Sequence, residues 1–159
     1  MTRRVLRFFD EALAAYRKGD YKTAFRDFKE IAEEGDPAAQ CNLAGMYESG
    51  LGTAQDDRQA LYWYGRAAEQ GHAGAQFALG IKYRHGFGIA RNDIQAMAWY
   101  RIAVDTMEPG EEREELIRNL EFTKAGLNTH EVAEAERLAQ TWWDAHGGHP
   151  DSRDEPEED

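Results

Sequence analysis

The chain has 159 residues, of which 30 are acidic and 19 basic, giving a formal net charge of −11. A negative charge of this size repels phosphate backbones and anionic lipid headgroups, so nucleic acids and membranes are not expected partners. Its single cysteine cannot form an internal disulfide, and no apolar run approaches the ~20 residues that a membrane-spanning helix requires.

The N-terminus, Met1 to Glu11, places charged residues too early in its apolar stretch to resemble a secretory signal peptide. We therefore expect a cytoplasmic protein; a chain from which a leader had been trimmed would belong in the periplasm instead. The charge is uneven, with five basic and two acidic residues in 1–18 against five basic and 17 acidic residues in 105–159. The acidity thus lies mainly in the C-terminal third.

Residues 1–35 are predicted to form a first pair of helices. From 5 to 18, large apolar residues recur at helical spacing, and Gly19 follows as a helix terminator. Asp20 is suited to cap the second helix. Only five positions separate Gly19 from Ala24, half the spacing found in the pairs that follow, so we expect this pair to be atypical.

Four further helices are predicted, near 38–49, 57–70, 74–85 and 93–105. The first of them starts at Asp36-Pro37, where a capping carboxylate precedes a proline whose missing N–H costs nothing in the first helical turn. No segment alternates polar and apolar residues with a period of two, so strands are not expected. The predicted fold class is all-α.

Residues 39–68 and 75–104 repeat one pattern at an offset of 36 residues, with 13 of 30 positions identical. Each copy holds a glycine loop between two helices, and Gly50 and Gly86 are predicted to end a helix in the left-handed conformation. The apolar residue between the glycines, Phe87 in the second copy, is expected to fold back onto the helix pair. A pair of this length cannot bury its apolar face alone, so we expect the pairs to stack.

The shared pattern is Ala-Gln-x-x-Leu-Ala/Gly-x-x-Tyr-x-x-Gly-x-Gly, followed by Asp-x-Gln-Ala-x-x-Trp-Tyr-x-x-Ala. It resembles the Sel-1-like repeat, a relative of the tetratricopeptide repeat, and the resemblance covers residues 20–105. This resemblance implies an α-solenoid of antiparallel helix pairs wound into a right-handed superhelix. It also implies a protein-interaction adaptor without catalytic activity of its own.

The predicted organisation is one helical-repeat domain followed by a tail. The domain covers residues 1–146, and the disordered acidic tail covers 147–159. Within the domain we predict an atypical tetratricopeptide-like pair at 1–35, Sel-1-like units at 36–71 and 72–105, and capping helices at 111–146. The tail is predicted to be disordered because it has six acidic residues and no large apolar residue to anchor it.

The capping helices break the repeat pattern. The first, from 111 to 125, is expected to bury Leu116 and Leu120, with Ile117 as a third candidate, and to turn its glutamates outward. Thr129 is the predicted N-cap of the second.

No motif in the sequence points to catalysis, a cofactor or a metal ion. Cys41 and His85 could meet on one surface of stacked repeats, but nothing around either residue would activate a nucleophile. Four metal-capable side chains lie near the C-terminus: Asp144, His146, His149 and Asp151. Their glycine-spaced setting offers no fixed geometry for a metal ion. We therefore predict a non-enzymatic protein without cofactor or metal.

In the tetratricopeptide fold, the first helix of each pair lines a concave groove. Carried over by this resemblance, the partner-binding residues would be Asp10, Arg17, Lys18, Cys41, Asn42, Glu48, Phe77, Ile81, Arg84 and His85. Apolar Phe77 and Ile81 beside Arg84 and His85 would suit a peptide with an apolar anchor and an acidic or carboxylate group. The alternative is that the capping helices cover Phe77 and Ile81.

Two functions remain open. The first is a monomeric adaptor whose groove binds a partner segment. The second is a structural module that self-associates weakly and has no dedicated groove; in this case Phe8 and Phe9, in the positive segment 1–18, would meet the acidic residues of 105–159 in another copy.

Overall fold

The computed structural model describes the backbone of residues 3–153 and the side chains of residues 5–151. Its α-helices are α1 (Arg3–Arg17), α2 (Tyr21–Glu33), α3 (Pro37–Ser49), α4 (Asp57–Glu69), α5 (Ala73–His85), α6 (Asp93–Thr106), α7 (Glu111–Ala125) and α8 (Thr129–Ala145). The short 3-10 helix Pro150–Arg153 follows. The described residues contain no strand, and the predicted all-α fold is confirmed.

The chain divides into two compact units, residues 1–75 and 76–159. In the first unit, α1 packs against α2, α2 against α3, and α3 against α4. Small residues let these helices approach closely, and a few large side chains fill the remaining space, among them Phe28, Leu43 and Tyr64.

One buried side chain in the first unit connects three helices. Gln40 of α3 is fully buried, and its Nε2 donates a hydrogen bond to the carbonyl oxygen of Ala32 in α2 at 3.1 Å. Its Oε1 accepts a hydrogen bond from Nε2 of Gln70, the C-cap residue of α4, at 2.8 Å. Both the nitrogen and the oxygen of this buried amide are therefore hydrogen-bonded.

In the second unit, α6 packs against both α7 and α8. Tyr100 of α6 shares a core cluster with Leu116 and Leu120 of α7 and Ala135 of α8. Leu116 and Leu120 are buried, as predicted, and Ile117 is partly buried beside them.

Several helices start at a residue whose side chain accepts a hydrogen bond from a backbone N–H of the first turn. Asp20 accepts a hydrogen bond from the Thr23 N–H, and Asp36 accepts one from the Ala39 N–H at 2.7 Å, so both predicted caps are confirmed. The predicted cap of α8 was wrong by one residue.

The residue that caps α8 is Asn128, not Thr129. The Asn128 Oδ1 accepts from the Glu131 N–H at 3.0 Å, and the Glu131 carboxylate accepts from the Asn128 N–H at 2.9 Å. This reciprocal capping box needs Glu or Gln three residues after the cap. Counting from Asn128 reaches Glu131, whereas counting from Thr129 reaches Val132.

The glycine loops have the predicted backbone. Gly50 ends α3 with φ of 65° and Gly86 follows α5 with φ of 75°, both left-handed. Gly52, also left-handed at 75°, passes so close to α2 that an added Cβ would overlap the carbonyl group of Tyr21 and lie 2.8 Å from Cβ of Phe25. This loop is therefore fixed by a close backbone approach as well as by its turn.

Residues 147–153, which begin the predicted disordered tail, turn back toward the helices of the second unit. Gly147 and Gly148 have positive φ, and the Gly148 N–H donates to the Trp143 carbonyl. Nε2 of His149 lies 3.0 Å from the Asp105 carboxylate, and its ring contacts Trp143. The side chain of His149 thus attaches residues 147–153 to the second unit, although this segment has no large apolar residue. The remaining tail, 154–159, lies outside the described residues.

Candidate functional site

The predicted partner-binding residues of the first unit lie on α1 and α3. Asp10, Arg17 and Lys18 are exposed. On α3, Glu48 is exposed, whereas Cys41 and Asn42 are half-buried. The three α1 residues and Glu48 therefore lie at the surface, and Cys41 and Asn42 lie partly within the helix packing.

Cys41, Glu48 and Tyr64 are electrostatically coupled. The Tyr64 hydroxyl donates a hydrogen bond to Oε2 of Glu48 at 3.0 Å. Burial, and then the Glu48 carboxylate, raises the pKa of Cys41 to about 11. Burial and Glu48 likewise raise the pKa of Tyr64. Both groups are protonated at neutral pH, so this cluster offers hydrogen bonds but no nucleophile.

We expect Cys41 to react slowly with alkylating agents. Since its pKa is raised from 9.0 to about 11, its thiolate fraction at pH 8 should be roughly a hundredfold below that of an ordinary protein thiol. Iodoacetamide labelling followed by mass spectrometry measures the rate. Labelling in denaturant should restore the ordinary rate, and Glu48→Gln should raise the native rate. Equal rates in the native and unfolded chain would contradict the assigned environment.

Phe77 and Ile81 of α5 are half-buried. Both pack against the core cluster of the second unit, and the ring centroids of Phe77 and Tyr100 are 5.8 Å apart. That cluster includes side chains of both capping helices. Only part of either side chain is therefore left for a partner.

Arg84 links the end of α5 to α6 and α7. Its Nη1 lies 3.3 Å from Oδ1 of Asp93, and its guanidinium carbon is 5.4 Å from the ring centroid of Phe122, which is 71% exposed. Arg91 also pairs with Asp93 at 2.9 Å, and its hydrogen bond, together with Arg84, holds the pKa of Asp93 below its ordinary value. Two guanidinium groups share one carboxylate, so this surface keeps positive charge.

His85 and Phe87 form a second aromatic contact next to Arg84. Their rings are stacked, with centroids 5.6 Å apart and an interplanar angle of 25°. Phe87 is 50% exposed, and its ring folds back onto His85, the last residue of α5, as predicted. The Phe87 ring is therefore available at the surface.

Sequence reasoning did not identify Phe87 and Phe122 as surface residues. For Phe122 there was a signal: the buried positions of α7 are Leu116, Leu120 and Thr123, and residue 122 lies on the opposite side of that helix. The helical position of Phe122 thus predicts its exposure, but a single exposed apolar residue is ordinary and by itself indicates no function.

The first unit also contains a cavity of about 180 Å³ between α1 and α2. Val5, Phe8 and Ile31 form its apolar part, and Phe8 is 41% exposed. Its rim carries Arg26 and three acidic residues: Asp27, Glu30 and Glu34. Acidic side chains thus outnumber basic ones among the described residues that line this cavity.

The metal-capable side chains near the C-terminus are engaged in local contacts. The His146 ring stacks on Trp142, and His149 pairs with Asp105. Among the side chains described, no three His, Cys, Asp or Glu residues are grouped to hold a metal ion. None of the helices within 3–153 is both long enough and apolar enough to cross a membrane.

Comparisons with known proteins agree on one repeat type. The Sel1 repeat family model matches residues 37–72 and 73–105. The crystal structure of a Sel1 repeat protein from Oxalobacter formigenes is 32% identical, covers 72% of this chain and 88% of that one, and superposes with a TM-score of 0.62. No curated protein matches the sequence.

A second solved structure is similar over nearly the whole chain. It is c5321, described as a protective antigen present in uropathogenic Escherichia coli strains and displaying an SLR fold, with 26% identity and a TM-score of 0.81 over 98% of this chain. The present chain spans about a third of that protein's length, 34%. Because two adjacent repeats match the family and the Oxalobacter structure matches at 32% identity, this chain belongs to the Sel1 repeat family.

Proposed function

We propose that this protein is a non-enzymatic adaptor that binds a segment of a partner protein on the Arg84 surface, which consists of Arg84, His85, Phe87 and Phe122. Proteins built from Sel1 repeats are generally protein-interaction modules. The observation that carries the proposal is the Arg84 guanidinium lying 5.4 Å from the centroid of a Phe122 ring that is 71% exposed.

Exposed aromatic rings favour binding at this place. Phe87 and Phe122 each leave half or more of their surface in water. Burying a fully exposed side chain of this kind contributes about 1.5–3 kcal/mol, so burying the exposed half or more of each ring contributes a corresponding part of that. Aromatic residues beside arginine are also typical of binding hot spots. The cation over Phe122 adds to this, because it holds the ring in place and binds its face.

The charges favour an acidic partner segment or a C-terminal carboxylate. Asp93 is shared by Arg84 and Arg91, so a second carboxylate can pair with Arg84 while Asp93 stays paired with Arg91. Positive charge at this place is notable in a protein whose net charge is −11. It would steer an acidic segment toward this surface.

The protonated state of Cys41 supports the non-enzymatic part of the proposal. The only cysteine of the chain has a pKa raised to about 11, which removes the thiolate that a nucleophilic mechanism needs. The described contacts of His85, its potential base, are with the Phe87 ring.

Quantitative affinity capture with immobilised variants tests the proposal. Phe122→Ala should reduce recovery of the true partner by roughly tenfold or more, because a hot-spot side chain is removed. Arg84→Glu should have the same effect and should weaken the inhibition of binding by salt, because an attractive charge is replaced by a repulsive one. Glu121→Ala, an exposed neighbour on α7, is the matched control and should retain the partner.

Thermal unfolding of each variant separates binding from folding. Phe122 is mostly exposed, so Phe122→Ala should melt within a degree or two of the parent protein. A folded Phe122→Ala variant that captures the same partners in the same amounts as the parent would remove the Arg84 surface from consideration.

A further inference from the structure

The repeat makes α4 and α6 equivalent helices, so their surfaces can be compared position by position. At the offset of 36 residues, Tyr62 corresponds to Ala98 and Arg66 to Ile102. Ala98 is 3% exposed and Ile102 is 2% exposed, whereas Tyr62 is 52% exposed and Arg66 is also exposed. One face is therefore buried on α6 and open on α4.

The face of α6 is buried because α8 packs on it. Ile102 forms a cluster with Ala139 and Trp143, and the rings of Trp99 and Trp142 are in contact, with centroids 6.4 Å apart. The helix that covers this face is amphipathic and presents small and aromatic side chains to it. The packing of α8 on α6 thus shows which kind of helix can cover this face of the repeat.

The same face on α4 has a different shape and charge. The Arg66 guanidinium carbon lies 5.9 Å from the ring centroids of both Tyr62 and Trp63, and Nη1 donates a hydrogen bond to the Tyr62 hydroxyl at 3.0 Å. Gly65, where α6 has Arg101, leaves open space beside them. Tyr62, Gly65 and Arg66 line a hollow of about 540 Å³. Its other lining residues are Gly35, Leu61, Glu69 and Gln70.

We propose that the α4 face, formed by Tyr62, Gly65 and Arg66, binds one amphipathic helix of a partner protein, which places a small residue against Tyr62 and a carboxylate against Arg66. A helix is the expected occupant because α8 occupies the equivalent face. A small residue is required because Tyr62 fills space that Ala98 leaves to α8. A carboxylate is required because the cation of Arg66 stands where α6 has the apolar Ile102.

The chain's own α8 is not the occupant, because it is already packed on α6. The α4 face also shares no residue with the Arg84 surface. Either surface can therefore fail its test without affecting the other.

A peptide derived from α8 provides the probe. Ala139 packs with Ile102, so position 139 of a peptide docked in the same way on α4 would face Arg66. We would label a peptide of residues 129–146 with a fluorophore, prepare it unchanged and with Ala139→Glu or Ala139→Lys, and titrate it with the full chain while following anisotropy.

The Ala139→Glu peptide should bind the parent protein about tenfold more tightly than the unchanged peptide does. Arg66→Glu should reverse the preference, so that the Ala139→Lys peptide becomes the tighter ligand. Arg66→Gln, which removes only the charge, should bind the Ala139→Glu and Ala139→Lys peptides equally well. Arg58→Glu, the same charge change at another exposed position of α4, is the matched control and should leave binding unchanged.

Three results would overturn the proposal. The first is equal binding of the Ala139→Glu peptide to the parent and to Arg66→Glu, which would mean that the peptide displaces α8 from α6 or binds elsewhere. The second is loss of binding with Arg58→Glu, which would indicate a general charge effect. The third is the absence of saturable binding by any of the three peptides up to about 1 mM.

Discussion

Replacing Gly52 with alanine is expected to lower the free energy of unfolding by about 2–5 kcal/mol, of which 1–2 come from the left-handed backbone and the rest from overpacking. The added Cβ would overlap the Tyr21 carbonyl group, and this is backbone that cannot rotate away. To relieve the overlap, the loop would have to move off α2. Urea denaturation followed by circular dichroism measures the loss.

Gly19→Ala is the matched control for Gly52→Ala. Gly19 has a similar φ of 81°, but an added Cβ there meets no atom within 4 Å. Gly19→Ala should therefore lower the free energy of unfolding only by the cost of placing alanine in the left-handed conformation, about 1–2 kcal/mol. Equal losses for the two variants would show that the Gly52 loop can move without penalty, contrary to the close approach described above.

Gly80→Ala is expected to destabilise the protein by about 1–3 kcal/mol, although alanine is the better helix former. The added Cβ would overlap the ring of Tyr100, which is 1% exposed and has no room to turn. Thermal and urea unfolding of the single variants, and of Gly80→Ala combined with Tyr100→Leu, measure the effect. The double variant should lose less stability than the sum of the single losses, because Leu relieves the overlap.

Gly65→Ala provides a control of opposite sign. Gly65 lies inside α4 and a Cβ there meets nothing within 4 Å, so the substitution should stabilise the helix by about 0.5–1 kcal/mol. If both Gly80→Ala and Gly65→Ala were stabilising, the contact between Gly80 and Tyr100 would not be tight.

The helices and their ends could largely be predicted from sequence because local chemistry determines them. Apolar residues at helical spacing set the helices, and Asp20, Asp36 and the left-handed Gly50 mark their ends. Where two local signals competed, prediction failed: Asn128 and Thr129 are both capping residues, and only the position of Glu131 decides between them.

The candidate site was harder to predict because it depends on contacts outside the repeat. Phe77 and Ile81 lie at positions that the repeat pattern assigns to a groove, but their exposure is set partly by the cluster that includes the capping helices, for which the repeat has no equivalent. The Arg84 contact with Phe122 joins residues 38 positions apart and follows no periodicity. Helical spacing alone could not have paired them.

The hydrogen bonds of Gln40 have a consequence for how the stack is assembled. Alanine-rich interfaces are smooth, so apolar burial alone discriminates poorly between neighbouring alignments of two helices. A buried amide that donates to Ala32 and accepts from Gln70 is satisfied in only one alignment of three successive helices. Sliding α3 by one turn would leave the Nε2 and Oε1 of Gln40 buried without hydrogen-bond partners, at a cost of several kcal/mol. The alanine residues thus allow the helices to pack closely, and the hydrogen bonds of Gln40 fix the alignment of α3 relative to α2 and the end of α4.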